Sequence, residues 1–168
     1  IKNHQIFVGA GRYGTYEERK ISQEEFRIWL QYTFSHKIGD LKLDHRGRAE
    51  KRFFYASQTG TNTEAVRYRY RLSGTLPINN SKVQEGTFFV NAFEELFFGA
   101  VEPNFKRNRS FAGFGYQFNN SLSATTGYMF QREFTQKRNE NYHFLYFALN
   151  FTIDPSDDER DFSIPMVD

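Results

Sequence analysis

The sequence predicts an all-β chain, an antiparallel up-and-down transmembrane β-barrel of about eight strands. Three observations predict it. The segment EAVRYRYRLSGTLP at 64–77 alternates arginine with an apolar or aromatic residue. On a strand, Arg67, Arg69, Arg71 and Ser73 share one face, while Val66, Tyr68, Tyr70, Leu72 and Leu76 share the other. Most of the other strand candidates repeat that contrast. The connections also sort into short and long in alternation, which is the habit of barrels with short turns at one rim and longer loops at the other.

Bulk composition agrees. Aromatics make up 18% of 168 residues, yet mean hydropathy is −0.69 and a quarter of the chain is charged. Rings and charges are therefore mixed residue by residue, not gathered in blocks. The longest apolar run, near Phe144–Leu149, falls far short of the roughly 18 residues of a spanning helix. A net charge of +2 is too balanced to indicate nucleic acid as a partner. The absence of cysteine excludes disulfides and thiolate metal sites and suits an exported protein. The start, IKNHQIFVG, has no signal-peptide pattern. An outer-membrane protein needs one, so the expectation is a mature form or a chain lacking more of its beginning.

Eight strands are expected near 4–13, 23–36, 40–55, 64–77, 86–99, 107–119, 121–134 and 141–153. The second points Phe26, Ile28, Leu30, Tyr32 and Phe34 outward and Glu25, Arg27, Trp29, Gln31 and Thr33 inward. The third, LKLDHRGRAEKRFF, turns Asp44, Arg46, Arg48, Glu50 and Arg52 inward. It leaves His45 and Lys51 outside, where long side chains can snorkel to an interface. In the fifth, TFFVNAFEELFFG, one of Glu94 and Glu95 must face outward unless a bulge resets the register. The sixth sets Ala112, Phe114, Tyr116 and Phe118 against Arg109, Gly113, Gly115 and Gln117. The seventh sets Leu122, Ala124, Thr126, Tyr128 and Phe130 against Ser123, Thr125, Gly127 and Gln131. The last has Leu145, Phe147, Leu149, Phe151 and Ile153 outside.

Tight links are expected at 36–40, 77–83 and 119–121, and longer ones at 12–22, 55–64, 99–107 and 135–141. Counting back from a periplasmic C-terminus puts every short link on the periplasmic side. The distance from Val66 to Leu76 spans roughly 33 Å along a strand, which at a tilt of about 40° rises about 25 Å, the height of an outer-membrane apolar band. The expected division is a barrel over 1–154 and an acidic periplasmic tail over 155–168, PSDDERDFSIPMVD.

The candidate site is the interior. Glu25, Arg27, Asp44, Arg46, Arg48, Glu50, Arg52, Arg67, Arg69, Arg71 and Arg109, with one of Glu94 or Glu95, form a crowded ionic lumen. Such groups can pair across the lumen and plug it. Alternatively, the arginine excess can line an anion pore or a pocket for an acidic ligand. The lipid- or partner-facing set is Ile28, Leu30, Tyr68, Tyr70, Leu72, Phe114, Tyr116, Leu145, Phe147, Leu149 and Phe151. Trp29, on the inner phase beside Arg27, is expected to stack with a guanidinium. The four histidines lack metal-ligand spacing. Ser35 and His36 fall on opposite faces, and no Gly-x-Ser-x-Gly elbow is present. GAGRYG at 9–14 has neither the following helix nor the lysine of a phosphate loop. The chain is therefore expected to be no enzyme and to carry no cofactor. Its expected partners are outer-membrane lipid, other outer-membrane barrels and periplasmic proteins.

Several segments resemble outer-membrane barrels of the domain-of-unknown-function 2490 family, common in Bacteroidota. They are EEFRIWLQY (24–32), LKLDHRGRAEKRFF (41–54), RYRYRLSGTLPI (67–78), FFVNAFEELFFG (88–99), FKRNRSFAGFGYQFNNSLSATTGYM (105–129) and YHFLYFALNF (142–151). The resemblance implies further strands before the counterpart of HQIFVGAG, in a ring of about ten to twelve. It implies an outer-membrane location and no particular reaction. Gly47, where the family carries a larger residue, and the C-terminal extension depart from the pattern. A soluble, lipocalin-like binding barrel is the remaining alternative.

Overall fold

Alternation of small, ionic and aromatic side chains leaves a strand as the only element that can separate the two faces, and strands are what form. The computed structural model describes residues 3–152. These build eight strands: β1 (His4–Glu17), β2 (Lys20–Ile38), β3 (Leu41–Ala56), β4 (Thr61–Pro77), β5 (Thr87–Gly99), β6 (Phe105–Gln117), β7 (Leu122–Glu133) and β8 (Glu140–Phe151). Each pairs antiparallel with its sequence neighbour, in the order β1 to β8. Among the described residues β1 bonds only to β2 and β8 only to β7. The sheet is a curled half-barrel with two free edges. The upper end carries the connections 18–19, 57–60, 100–104 and 134–139; the lower end carries 39–40, 78–86 and 118–121.

The expected sorting of connection lengths does not hold. Two-residue turns occur at both ends, at Glu18–Arg19 and Gly39–Asp40, and the longest connection, 78–86, lies at the lower end. The stretches 12–22 and 55–64 are polar, but their backbones keep pairing. Glu17 faces Lys20 across a turn in which Glu18 and Arg19 adopt positive φ (48° and 65°), the geometry of a twisted two-residue hairpin. No Asn-Gly or Asp-Gly marks that turn, so its sequence reads as loop. The 78–86 connection is tied down at the lower end. The Asn79 side chain accepts from the Phe88 amide at 2.8 Å, and that of Asn80 donates to Thr87 Oγ1 at 2.8 Å, a residue with no exposed surface. The acidic tail lies outside the described residues, as does Ile153.

Curvature relies on glycine beneath aromatic rings. Gly113 and Gly127 face each other across β6 and β7. A Cβ on Gly127 would sit 2.4 Å from the Ala112 carbonyl oxygen and 2.8 Å from the Phe111 ring. Phe89 lies in the same way over Gly115, and Trp29 over Gly9. Removing the side chain lets strands approach and bend, while a neighbouring ring restores the lost contact. Phe89, Phe97 and Phe111 form the buried aromatic floor.

The outward apolar residues form a belt that crosses the hydrogen-bond rows obliquely. The row from Val8 runs through Leu30, Ala49, Tyr68 and Phe98 and there meets the upper end. The row from Phe147 runs through Thr126, Phe114 and Val90 to Leu76 near the lower end. On β1 the belt is Ile6 and Val8, close to the lower end of the strand; on β8 it is Leu145 to Phe151, which reaches the lower end from mid-strand. The slip is about one residue or a little more per strand, the stagger that strands tilted roughly 35–45° need to close into a ring.

Gly127→Val should lower unfolding stability by about 2–3 kcal/mol, since neither the carbonyl nor the facing backbone can yield. Gly47→Ala, whose Cβ meets nothing within 4 Å, should change it by less than about 0.5 kcal/mol. Urea unfolding in micelles, followed through the single tryptophan, measures both.

Candidate functional site

Three successive inward rows carry the charged interior. The lowest passes from Thr33 through Arg46, Arg71, Glu95 and Arg109 to Gln131. The middle one passes from Gln31 through Arg48, Arg69, Phe97 and Arg107 to Glu133. The upper one joins Trp29, Glu50 and Arg67. Strand pairing thus places Arg46 opposite Arg71 and Arg48 opposite Arg69, like charges in direct cross-strand contact, an arrangement that alone is destabilising.

Two buried carboxylates resolve it. Glu95, with no exposed surface, accepts from Arg46 at 2.8 Å and Arg69 at 2.9 Å on Oε1 and from Arg71 at 2.8 Å on Oε2. Glu50 accepts from Arg67 at 2.5 Å and from Arg69 at 3.1 Å, with Arg48 at 3.7 Å. Arg69 therefore links both centres. A third carboxylate, Glu25, holds Arg52 through both oxygens (2.6 and 2.8 Å) and Arg27 at 2.8 Å. Arg109 approaches Glu95 at 3.8 Å and gives two hydrogen bonds to Gln131, while Arg48 gives two to Gln31.

Aromatic rings supply the rest of the solvation. The Phe97 ring lies 4.8 Å from the Arg69 guanidinium and 5.3 Å from those of Arg107 and Arg109; Phe93 lies 4.1 Å from Arg71. Guanidinium stacking on a ring face adds attraction that strengthens as water is excluded.

All eleven expected lumen residues occupy inward positions. Asp44 stands apart from the carboxylate centres, accepting from Ser35 and pairing with Lys42 at 3.6 Å. The expected outward set lines the convex face, from Ile28 and Leu30 on β2 to Leu145 and Phe151 on β8. The Glu94/Glu95 ambiguity is settled without a bulge between them: Glu95 points in and Glu94 points out, bonded to Asn108. The register shift in this pair of strands comes later, between Phe97 and Phe98.

Trp29 stacks with a guanidinium, that of Arg48 at 5.4 Å, while Arg27 covers Tyr13 at 4.2 Å. Trp29 and Arg27 are two residues apart on one strand, whereas Arg48 reaches the tryptophan from the neighbouring strand. Arg107, Gln31, Gln131, Phe93 and Phe97 also belong to the network. The signal for the last two was the alternation Phe93–Glu95–Phe97, legible only once the register is known.

Outward polar residues are also placed. Lys51 pairs with Glu64, and His45 bonds the Tyr70 hydroxyl at 2.8 Å and stacks on His36 at 5.2 Å. Ser35 and His36 point to opposite faces, Ser35 towards Asp44 and His36 towards His45. Chemically, each carboxylate centre ties neighbouring strands together: Glu25 joins β2 to β3, Glu50 joins β3 to β4, and Glu95 on β5 gathers arginines from β3, β4 and β6.

A family model described as "Protein of unknown function (DUF2490)" matches residues 2–142. The chain belongs to this family. The match takes in β1 to β7 and the whole ionic network, so the DUF2490 segment is the part of the chain that builds the charged interior. No curated protein and no solved structure matches the chain.

Within this DUF2490 half-barrel, Glu95→Gln should cost about 3–5 kcal/mol, because it leaves buried guanidiniums without their central carboxylate. Glu24→Gln, which removes the exposed pair with Arg12 at 2.7 Å, should cost less than about 1 kcal/mol. Equilibrium unfolding of the two variants side by side measures the difference.

Proposed function

We propose that the chain spans a bacterial outer membrane as a β-barrel with a charged, occluded interior. In this reading it is a structural or accessory subunit of a larger outer-membrane assembly, not a catalyst. The observation that carries this reading is the oblique apolar belt set against the buried ionic face. A soluble sheet has no reason to slant its exposed apolar residues across the register at the pitch a tilted barrel requires. The convex face presents Val8, Leu145, Phe147 and Phe151, each more than two-thirds exposed. That burden suits hydrocarbon far better than water.

Hydrocarbon also demands closure, because an open strand edge there leaves backbone groups unsatisfied. Strands β1 and β8 run in opposite directions, so an even number of further antiparallel strands completes the ring. This agrees with the ring of about ten to twelve strands that the family resemblance implies. In this reading the lower end, where His4 and Phe151 lie, is the periplasmic one, and the extended β1–β2 and β3–β4 hairpins face outside the cell.

The arginine excess favours a second reading, a small-anion pore. Against it stands the burial of Arg46 and Arg71, exposed by 1% and 2%, around Glu95. Purified protein in planar bilayers should give no current steps at high load. Anion-selective steps that disappear with Arg71→Ala would establish the pore instead.

The native chain has no cysteine, so single-cysteine variants report topology directly. In lipid vesicles, Cys at Val90, Phe114 or Phe147 should resist a water-soluble maleimide while Cys at Ser57 or Ser81 reacts. On intact cells only Ser57→Cys should label. Free reaction at the three belt positions, or a chain that stays in solution without detergent, overturns the membrane reading.

A further inference from the structure

On the convex face β5 presents Phe88, Val90, Ala92, Glu94, Leu96 and Phe98 in order, so a carboxylate interrupts an apolar run at its middle. Every other outward carboxylate on the strands near the belt has a cation: Glu24 has Arg12 and Glu64 has Lys51. Glu94 has none among the described residues. Its single side-chain partner is the Asn108 amide, which donates to it, while Ser110 donates to the Asn108 carbonyl at 3.4 Å. The three form a short polar chain that ends on an uncompensated carboxylate.

The outward residues beside it are small. Directly below Glu94 the paired row is Gly74, Ala92 and Ala112 across β4, β5 and β6. The rows beneath and beside it carry Leu76, Val90, Phe114 and Tyr128. Three small residues in adjacent positions of one row leave a shallow notch, walled on the β3 side by Leu41 and Leu43, whose side chains come within 3.5 Å of where a Gly74 Cβ would sit. A carboxylate at one wall of a notch, at mid-depth of a hydrocarbon belt, is costly facing lipid and is ordinarily matched by a basic or donor group.

We propose that this notch on β4–β6 is the docking site for a different membrane-embedded protein, which brings a lysine or arginine side chain across Gly74, Ala92 and Ala112 to Glu94. The inference rests on the membrane reading above and gives the assembly role a face. A second copy of this chain does not fit as the occupant. The outward arginines and lysines of its strands near the belt, Arg12, Lys51 and Arg132, stand nearer the upper turns, and the first two are already engaged by glutamates, while the outward His45 is engaged by the Tyr70 hydroxyl. Lipid does not fit either, since acyl chains offer neither charge nor donor.

The test places a photo-crosslinking benzoylphenylalanine at Ala92 in the full chain in its native membrane, with the same probe at Phe147 as a remote control. The expected result at Ala92 is an adduct with one membrane protein, mapped to a segment carrying a lysine or arginine next to the joined residue. That adduct should fall about tenfold with Glu94→Gln, the loss expected when one partner of a desolvated charge pair is removed. Phe147 should give lipid adducts. Heat-dependent gel mobility confirms that the Glu94→Gln variant still folds; if it does not, Glu94→Asp, which keeps the charge but shortens the reach, replaces it and should weaken the adduct. Lipid adducts at Ala92, an adduct between two copies, or a protein adduct unchanged by both Glu94 variants overturns the proposal. A chain absent from the membrane fraction would instead overturn the membrane reading itself.

Discussion

The structure depends on two carboxylates, Glu50 and Glu95, set among arginines that strand pairing would otherwise force against each other. Arg46 faces Arg71 and Arg48 faces Arg69 on neighbouring strands. Without negative charge between them, β3 and β4 would repel where they pair most extensively. With Glu95 reached from β3, β4 and β6, and Glu50 bonded to two residues of β4, the same arginines become cross-links. The interaction energy of each pair is offset by desolvation, so the network's value lies in specificity. Only one register lets both carboxylates meet all of their guanidiniums, and a one-residue slip would turn every charge outward.

That register in turn decides the other face. Because side chains alternate strictly along a strand, fixing Arg67, Arg69 and Arg71 inside leaves Tyr68, Tyr70 and Leu72 outside. The same logic explains the exceptions. Lys51 and His45 are outward because Glu50 and Arg46 are inward, and each finds a local partner, Glu64 or Tyr70. Glu94 is outward because Glu95 is inward, and among the described residues it finds only an amide. An outward charge is thus a by-product of interior order. Glycine completes the pattern: Gly113, Gly115 and Gly127 let β6 and β7 come close and bend, and Phe89 and Phe111 fill the space those glycines leave.

Much of this was legible in the residues. The inward assignment of Arg46, Arg48, Arg67, Arg69 and Arg71 needed only a period of two, and so did the aromatic outer face. The strand ends were harder. Polar stretches such as 12–22 and 55–64 read as loops, yet backbone pairing continued through them because hairpin hydrogen bonds do not require apolar side chains. Lengths of connections therefore misled, and the long 78–86 segment at the lower end broke the expected alternation. The choice between Glu94 and Glu95, and of Arg48 rather than Arg27 for Trp29, depended on which strand lies alongside which, and at what offset.

The sequence by itself determined the class of element, the number of strands and the chemistry of each face, because alternation is a local property that one strand records alone. Only the tertiary structure decided which arginine meets which carboxylate, that both edges of the described sheet stay open, and that the apolar belt runs obliquely to the rows. Those are properties of register between strands, set by pairings many residues apart, and no single strand carries them.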